Sequence, residues 1–167
     1  AIVARNTLSI DAGGTVTNYA GNISGADVSI EAVGDVLNQS ATISGGNVSV
    51  TSTTGSVINE TLSREVATGG AVGEGVNTVL VATAGISATN NLSIDAAKDI
   101  VSRGAELNAG GDASLTAGND IVLTAIEVKN YTDSMEKSKS GGYKTVEKTS
   151  TQSSTQVGST LNVGGNL

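Results

Sequence analysis

Hydrophobic and polar residues alternate along this chain in short phrases that recur at a fixed distance. Residues 6–25 (NTLSIDAGGTVTNYAGNISG) and 26–45 (ADVSIEAVGDVLNQSATISG) align without a gap, at a spacing of 20 residues. Strict alternation over a few residues predicts a strand with one buried face. Glycine, asparagine and aspartate separate the phrases, as is typical of turns.

The hydrophobic positions keep their places in later copies of the repeat. The equivalent positions are Leu8, Val28 and Val48; Ile10, Ile30 and Val50; Val16, Val36 and Val57; and Ile23 and Ile43. After an interruption the pattern resumes at Ile86 with a period of 21, and a further copy begins at Leu107. In that copy Leu107, Leu115 and Ile121 are predicted to face inward. Leu161 takes the role of Leu107 near the end of the chain.

A unit of about 20 residues built from short strands and turns cannot bury its inner face alone. Stacked copies can pair every strand with its equivalent above and below, at roughly 4.8 Å. The sequence therefore predicts an all-β fold, a parallel β-helix of 20–21-residue coils, and the crossover rule makes it right-handed. The chain contains no proline, which agrees with coils that donate their backbone N–H groups to neighbours.

We expect one β-helix segment over residues 1–167, part of a larger protein, with coils at about 6–62, 86–128 and 159–167. Insertions are predicted at about 63–85 and 129–158. The first insertion carries enough valine and threonine for a strand pair or an irregular coil. The second has Ser140, Gly141 and Gly142 between Thr- and Val-bearing arms, which indicates a protruding hairpin, with a mobile loop as the alternative.

Charge is distributed unevenly along the chain. The net charge is −7, yet residues 129–158 hold five of the six lysines against three acidic residues, so the insertion carries +2 and the remainder −9. The acidic balance argues against nucleic-acid binding. A positive projection on an acidic protein predicts contact with an anionic partner such as lipopolysaccharide, and the candidate residues are Lys137, Lys139, Tyr143 and Lys144. A solvated loop without partners is the alternative.

Catalytic chemistry is hard to find in the sequence. The chain has no histidine and no cysteine, so the common proton shuttle and thiolate nucleophile are missing. Asp35, Asp99 and Asp120 fall at equivalent positions, where we predict that they form turns by bonding nearby backbone N–H groups. A carbohydrate-active β-helix enzyme is the alternative, and it would need an acidic cluster beside Arg103.

Two other kinds of site can be tested against their motifs. The stretch GGDASLTAG lacks the nine-residue tandem of calcium-binding β-rolls, and the paired glycines are not followed by the Lys and Ser or Thr of a phosphate loop. We therefore predict no catalytic, metal or cofactor site. Asn18, Asn38 and Asn59 recur in register and predict a hydrogen-bonded side-chain ladder.

Three stretches carry a resemblance to a known family: LSIDAAKDIVSRGAELNAGGDASLTAGNDIVL, VINETLSRE, and the lysine- and threonine-rich insertion that leads into VGSTLNVGGNL. They resemble the haemagglutinin repeat region of two-partner-secretion exoproteins, the filamentous haemagglutinins and contact-dependent growth inhibition toxins. The resemblance implies export through an outer-membrane partner and display at the bacterial surface. It also implies a stalk, without catalytic residues, for adhesion or for delivery of a C-terminal toxin to a target cell's outer membrane.

The resemblance leaves an alternative open, because the passenger segment of an autotransporter adhesin shares the fold. In either case we expect the segment to be monomeric.

Overall fold

The computed structural model describes residues 1–70 and 72–167, and their regular secondary structure is entirely β. Ala71, inside the insertion predicted at 63–85, lies outside the described residues. The chain divides into two compact units, the coil unit (Ala1–Leu62, Val81–Ile126 and Gly158–Leu167) and the hairpin unit (Ser63–Leu80 and Glu127–Val157). Within the described part of the chain, no helix is long and apolar enough to cross a membrane.

The coil unit is built from three parallel sheets. The first sheet contains β1 (Ile2–Val3), β4 (Asn22–Ser24), β7 (Thr42–Gly45), β12 (Gly85–Ala88), β15 (Glu106–Ala109) and β20 (Thr160–Val163). The second contains β2 (Leu8–Ala12), β5 (Val28–Ala32), β8 (Val48–Ser52), β13 (Leu92–Ala96) and β16 (Ala113–Ala117). The third contains β3 (Val16–Tyr19), β6 (Val36–Gln39), β9 (Val57–Glu60), β14 (Ile100–Arg103) and β17 (Ile121–Thr124).

Each coil passes through the first, second and third sheets in turn, and each strand pairs with its equivalent in the next coil. The predicted parallel β-helix is confirmed. The predicted register is confirmed as well, because Leu8 pairs with Val28, which pairs with Val48. The slip to a period of 21 is also observed, since Val36 pairs with Val57.

The core is a set of columns in which small aliphatic side chains stack on their equivalents. Ile30, Val50, Ile86 and Ile94 are each at most 1% exposed, although the chain has no phenylalanine or tryptophan. A fully buried aliphatic side chain of this size contributes about 1.5–3 kcal/mol. Parallel pairing thus lets β-branched residues fill a narrow interior without aromatic rings.

Position in the stack decides how deeply an inward residue is buried. Leu107 is buried, as expected, but Leu115 is only half-buried and Ile121 is 45% exposed. The strands β16 and β17 stand last in their sheets. Among residues 1–70 and 72–167 no strand pairs with the outer side of β16 or β17, so within this segment their inward-facing side chains have a neighbouring coil on one side.

A polar ladder runs through the interior at the end of the third sheet. The Asn18 amide donates to Asn38 at 2.9 Å, and the Asn38 amide donates to Asn59 at 2.8 Å and to the Ala41 carbonyl at 2.8 Å. The predicted asparagine ladder is confirmed. It stops at Ser102, which pairs with Asn59 in the next coil and whose buried hydroxyl has no hydrogen-bond partner among the described residues.

The recurring aspartates connect coils. The carboxylate of Asp35 accepts the backbone N–H of Ser56 at 2.8 Å, and that of Asp99 accepts the N–H of Asp120 at 3.2 Å, across 21 residues in each case. The prediction that these aspartates bond nearby N–H groups is wrong in one respect, because the bonded N–H groups lie in the adjacent coil and are not close in the sequence. An N–H at the start of a parallel strand points along the stack, so the nearest acceptor lies in the adjacent coil.

A second exterior column follows the same rule before the strands of the second sheet. In each step a side-chain oxygen accepts the backbone N–H of the equivalent residue one coil further on. The column consists of Asp27, Asn47, Asn91, Asp112 and Asn166, joined by bonds of 2.9, 3.3, 3.0 and 2.7 Å. Acids and amides at these positions therefore serve the fold.

The corner between the third and first sheets is tight. Ala20 and Ser40 turn the chain there with φ of 46°, and Gly104 with φ of 55°. Both insertions enter the chain at this corner, one between β9 and β12 and the other between β17 and β20. The first insertion's ends are joined within the coil unit, because the Ala84 N–H donates to Thr61 Oγ1 at 2.9 Å.

We predict that Asn38→Ala lowers the free energy of unfolding by about 2–4 kcal/mol, because it leaves a cavity and removes one buried hydrogen bond from each of Asn18 and Asn59. Urea unfolding followed by circular dichroism measures the change. Asn22→Ala is the matched control, since Asn22 is exposed and accepts only the Thr42 hydroxyl; its effect should stay within about 0.5 kcal/mol. Equal losses in the two variants would contradict a structural role for the ladder.

A second prediction concerns the stability of the fold at low pH. The backbone and side-chain N–H groups of Asn47 hold the pKa of the Asp27 carboxyl below its ordinary value of 3.8. A lowered folded-state pKa stabilises the protein above that ordinary value, and the contribution is lost as the pH falls from there through the folded-state pKa. Asp27→Asn keeps an acceptor without a titrating group, so its stability should fall less than that of wild type between pH 5 and pH 3.

Unfolding midpoints in urea at the two pH values test this expectation. Asp95→Asn is the control, because Asp95 is exposed and its carboxylate makes no hydrogen bond within the described residues. If both variants respond to acid alike, the Asp27 to Asn47 bond does not contribute as described.

Candidate functional site: the long hairpin

The hairpin unit holds two antiparallel strand pairs. The short hairpin is β10 (Ser63–Gly69) with β11 (Glu74–Leu80), and it pairs Ser63 with Leu80 and Gly69 with Glu74. The strand pair predicted for the first insertion is confirmed. The long hairpin is β18 (Ile126–Ser140) with β19 (Tyr143–Val157), a two-stranded sheet of 15-residue strands.

The turn of the long hairpin explains its formation. Gly141 and Gly142 have φ of 58° and 88°, and a two-residue connection with positive φ at both positions is the tight hairpin turn that glycine favours. The predicted hairpin is confirmed, in place of the mobile loop. The turn places Ser140 opposite Tyr143, which fixes the pairing of the two strands.

The base of the long hairpin is held by the short hairpin. The Tyr131 N–H donates to Asn77 Oδ1 at 2.6 Å, and the Asp133 carboxylate accepts the Val72 N–H at 2.9 Å. The ring of Tyr131 is buried against Gly75, where an added Cβ would overlap it. A glycine at this position of β11 therefore leaves the space that the Tyr131 ring occupies.

An ion pair adds to this contact. Lys129 Nζ lies 2.8 Å from Glu65 Oε1, with both side chains largely exposed. The hydrogen bond and charge of Glu65 raise the pKa of Lys129 above 10.5. Exposed pairs of this kind stabilise proteins by about 0–1 kcal/mol, so the ion pair orients β18 more than it strengthens the unit.

Alternation assigns the remaining side chains of the long hairpin to two faces. With Ser140 opposite Tyr143, odd-numbered residues of β18 share a face with even-numbered residues of β19. The hydrogen bonds at the base agree with this pairing, since Tyr131 and Gln152 both bond to β11 and Ser153 bonds to the Asn130 carbonyl.

The distal part of one face, which we call the lysine face, carries four lysines around two apolar side chains. It consists of Met135, Lys137, Lys139, Lys144, Val146 and Lys148. Lys137, Lys139, Lys144 and Val146 border one shallow cavity. No acidic residue lies on this face beyond Asp133, so its positive charge is not balanced locally.

The structure brings together three of the four predicted contact residues. Lys137, Lys139 and Lys144 share the lysine face, whereas Tyr143 stands on the opposite face, where it is 81% exposed. That opposite face also carries Glu136 and Glu147 among serines and threonines. The two faces of one hairpin thus differ in sign of charge.

Sequence reasoning omitted Lys148 and Tyr131. Lys148 could have been found by counting back from Gly141 and Gly142, because a two-residue turn sets which residues of β18 and β19 share a face. Nothing local to Tyr131 signals its burial, since its partners Gly75 and Asn77 lie more than fifty residues away in the sequence.

The acidic residues of the coil unit form no cluster for catalysis. Arg103 is paired with Glu60 at 2.9 Å, and the Asp99 carboxylate is bonded to the Asp120 N–H. Within residues 1–70 and 72–167 no three histidine, cysteine, aspartate or glutamate side chains come together as a metal site. The acidic cluster that the enzyme alternative requires beside Arg103 is not found among these residues.

Comparison with known families bears on this arrangement. Residues 77–145 match the family model described as hemagglutinin repeat. This stretch is therefore similar to a haemagglutinin repeat. It runs from β11 through the last coils of the stack to the turn of the long hairpin, so the lysine face lies largely within it. No curated protein and no solved structure matches the chain significantly.

The match confirms the predicted resemblance to a haemagglutinin repeat region. The haemagglutinin repeat belongs to structural, adhesin-type segments and is not an enzyme family. It implies a filamentous haemagglutinin-like segment of a secreted surface exoprotein.

We predict that Gly75→Ala opens the contact between the two hairpins, because the added methyl group overlaps the Tyr131 ring. The free energy of local opening should fall by about 1–3 kcal/mol. Hydrogen exchange at the Tyr131 amide measures it. In Gly69→Ala the nearest atom is 3.8 Å away, so exchange there should match wild type; faster exchange in both variants would mean that overlap is not the cause.

Proposed function

We propose that this chain is a non-enzymatic stalk segment of a secreted bacterial surface exoprotein, serving adhesion or the delivery of a C-terminal toxin to target cells. The observation that carries the proposal is the haemagglutinin repeat at residues 77–145, which includes coils stacked in register. The recurring polar side chains of those coils are occupied in bonds to neighbouring coils. A coil of this kind adds length and carries no chemistry of its own.

The proposal includes two partners for the parent protein. Export would proceed through an outer-membrane secretion partner, and the segment would act as a monomer at the surface of the bacterium. The lysine face would contact the target-cell surface, since four lysines on one face attract anionic groups at low and physiological salt.

The stalk hypothesis predicts how two deletions in the parent protein affect its surface display and target-cell binding. Removing residues 26–45 joins Gly25 to Gly46 and deletes one whole coil, so each remaining strand still meets its equivalent. Removing only residues 26–35 deletes half a coil and places β6 where a strand of the second sheet belongs. The smaller deletion should abolish surface display, whereas the larger one should preserve display and target-cell binding.

Immunodetection at the cell surface and a target-cell binding assay measure the two outcomes. If the whole-coil deletion is displayed normally but no longer binds, the coil itself holds a site and the stalk hypothesis is wrong. The same assay tests the lysine face. Replacing Lys137, Lys139, Lys144 and Lys148 with glutamine should weaken binding, while Glu136→Gln with Glu147→Gln on the opposite face should not.

A further inference from the structure

Within the part of the chain that the structure describes, the outer edge of β19 has no partner strand. In the pairing set by the turn, Ser140 and Tyr143 exchange hydrogen bonds, so even-numbered residues of β19 direct their N–H and C=O groups away from β18. In β18 the odd-numbered residues direct their N–H and C=O groups away from β19. The bonds of the short hairpin agree with this, because the Lys129 N–H donates to Thr78 and the Tyr131 N–H donates to Asn77.

The two edges of the long hairpin therefore differ. The edge of β18 is covered at its base by side chains of β11, whereas no backbone group of β19 bonds outside the long hairpin among residues 1–70 and 72–167. Every residue of β19 except Val157 is exposed. An unpaired strand of 15 residues without proline is the kind of edge that accepts another strand.

The side chains beside this edge specify what kind of strand would fit. An added strand places its alternate side chains about 4.5–5.5 Å from those of β19 on each face. On the lysine face these neighbours are Lys144, Val146 and Lys148, with Lys137 and Lys139 one strand further away. On the opposite face the neighbours are threonines, serines and Glu147.

We propose that β19 binds an extended acidic segment of a partner protein by strand addition. The partner's carboxylates at alternate positions lie on the lysine face, and small polar residues occupy the positions between them. The backbone hydrogen bonds of β19 supply affinity, and the lysines select the sequence and its register. This inference does not rest on the proposed function, because it concerns a peptide partner and can be measured with the isolated chain.

A second copy of the chain fits the edge less well. If the β19 strands of two copies paired antiparallel in one sheet, the lysine faces of both copies would lie on the same side of that sheet. The lysines of the two copies would then be close together. Like charges brought together across an interface oppose association. An acidic strand instead neutralises the face.

The test uses the full 167-residue chain and short labelled peptides, with binding followed by fluorescence polarisation. A peptide that alternates glutamate with threonine should bind. A peptide of the same composition with its glutamates consecutive should bind about tenfold more weakly or worse, because half of its carboxylates then face away from the lysines. Replacing Lys144 and Lys148 with glutamine should weaken binding of the alternating peptide by a similar factor.

Two controls separate strand addition from attraction of charge alone. Ser150→Pro removes an N–H that points to the free edge and leaves the bonds to β18 intact, so it should abolish binding, while Ser150→Ala should not. An alternating peptide that is N-methylated along one edge keeps its charge but cannot donate to β19, and it should not bind.

Two results would overturn the proposal. Equal binding of the N-methylated and unmodified peptides would show that only charge is recognised. A chain that dimerises without peptide in sedimentation experiments, and becomes monomeric with Ser150→Pro, would show that a second copy takes the edge.

Discussion

The whole coil unit depends on one constraint, the pairing of each strand with its own equivalent 20 or 21 residues further along the repeat. Once this pairing is made, inward valine, isoleucine and leucine side chains lie on other aliphatic side chains, and Asn38 lies between Asn18 and Asn59. The aliphatic columns, the interior asparagines and the exterior acids and amides all follow from it. A change of register by one residue would turn each column to the wrong face, so hydrophobic and polar positions specify the same alignment independently.

The interior amides make that alignment selective. Valine and isoleucine columns tolerate exchange of one coil for another, since all present similar volumes. Asn38 accepts the amide N–H of Asn18 and donates to Asn59, and losing such a partner is costly for a buried amide. The ladder of Asn18, Asn38 and Asn59 therefore distinguishes these coils from those that carry serine at the same position.

Much of this could be predicted from sequence because the signal is local and repeated. The pairing of Val36 with Val57 follows from counting residues, and so does the asparagine ladder. The exposure of Ile121 could not be predicted in that way, since it depends on the place of β17 in the stack rather than on its own sequence. The contact of Tyr131 with Gly75 depends on the meeting of two distant hairpins. The separation of Tyr143 from the lysines follows from strand alternation together with the two-residue turn, and the distribution of charge along the sequence does not reveal it.

The corner at which Ala20, Ser40 and Gly104 turn the chain has a consequence for how such proteins diversify. An excursion that leaves and returns there interrupts no column, because its ends are held together at the corner by bonds such as that between Thr61 and Ala84. The entropic cost of a longer loop rises by only about 0.6 kcal/mol for each doubling of its length. New segments can therefore be accepted at this corner, or lost from it, with little effect on the stack, so binding properties can evolve without the scaffold having to change.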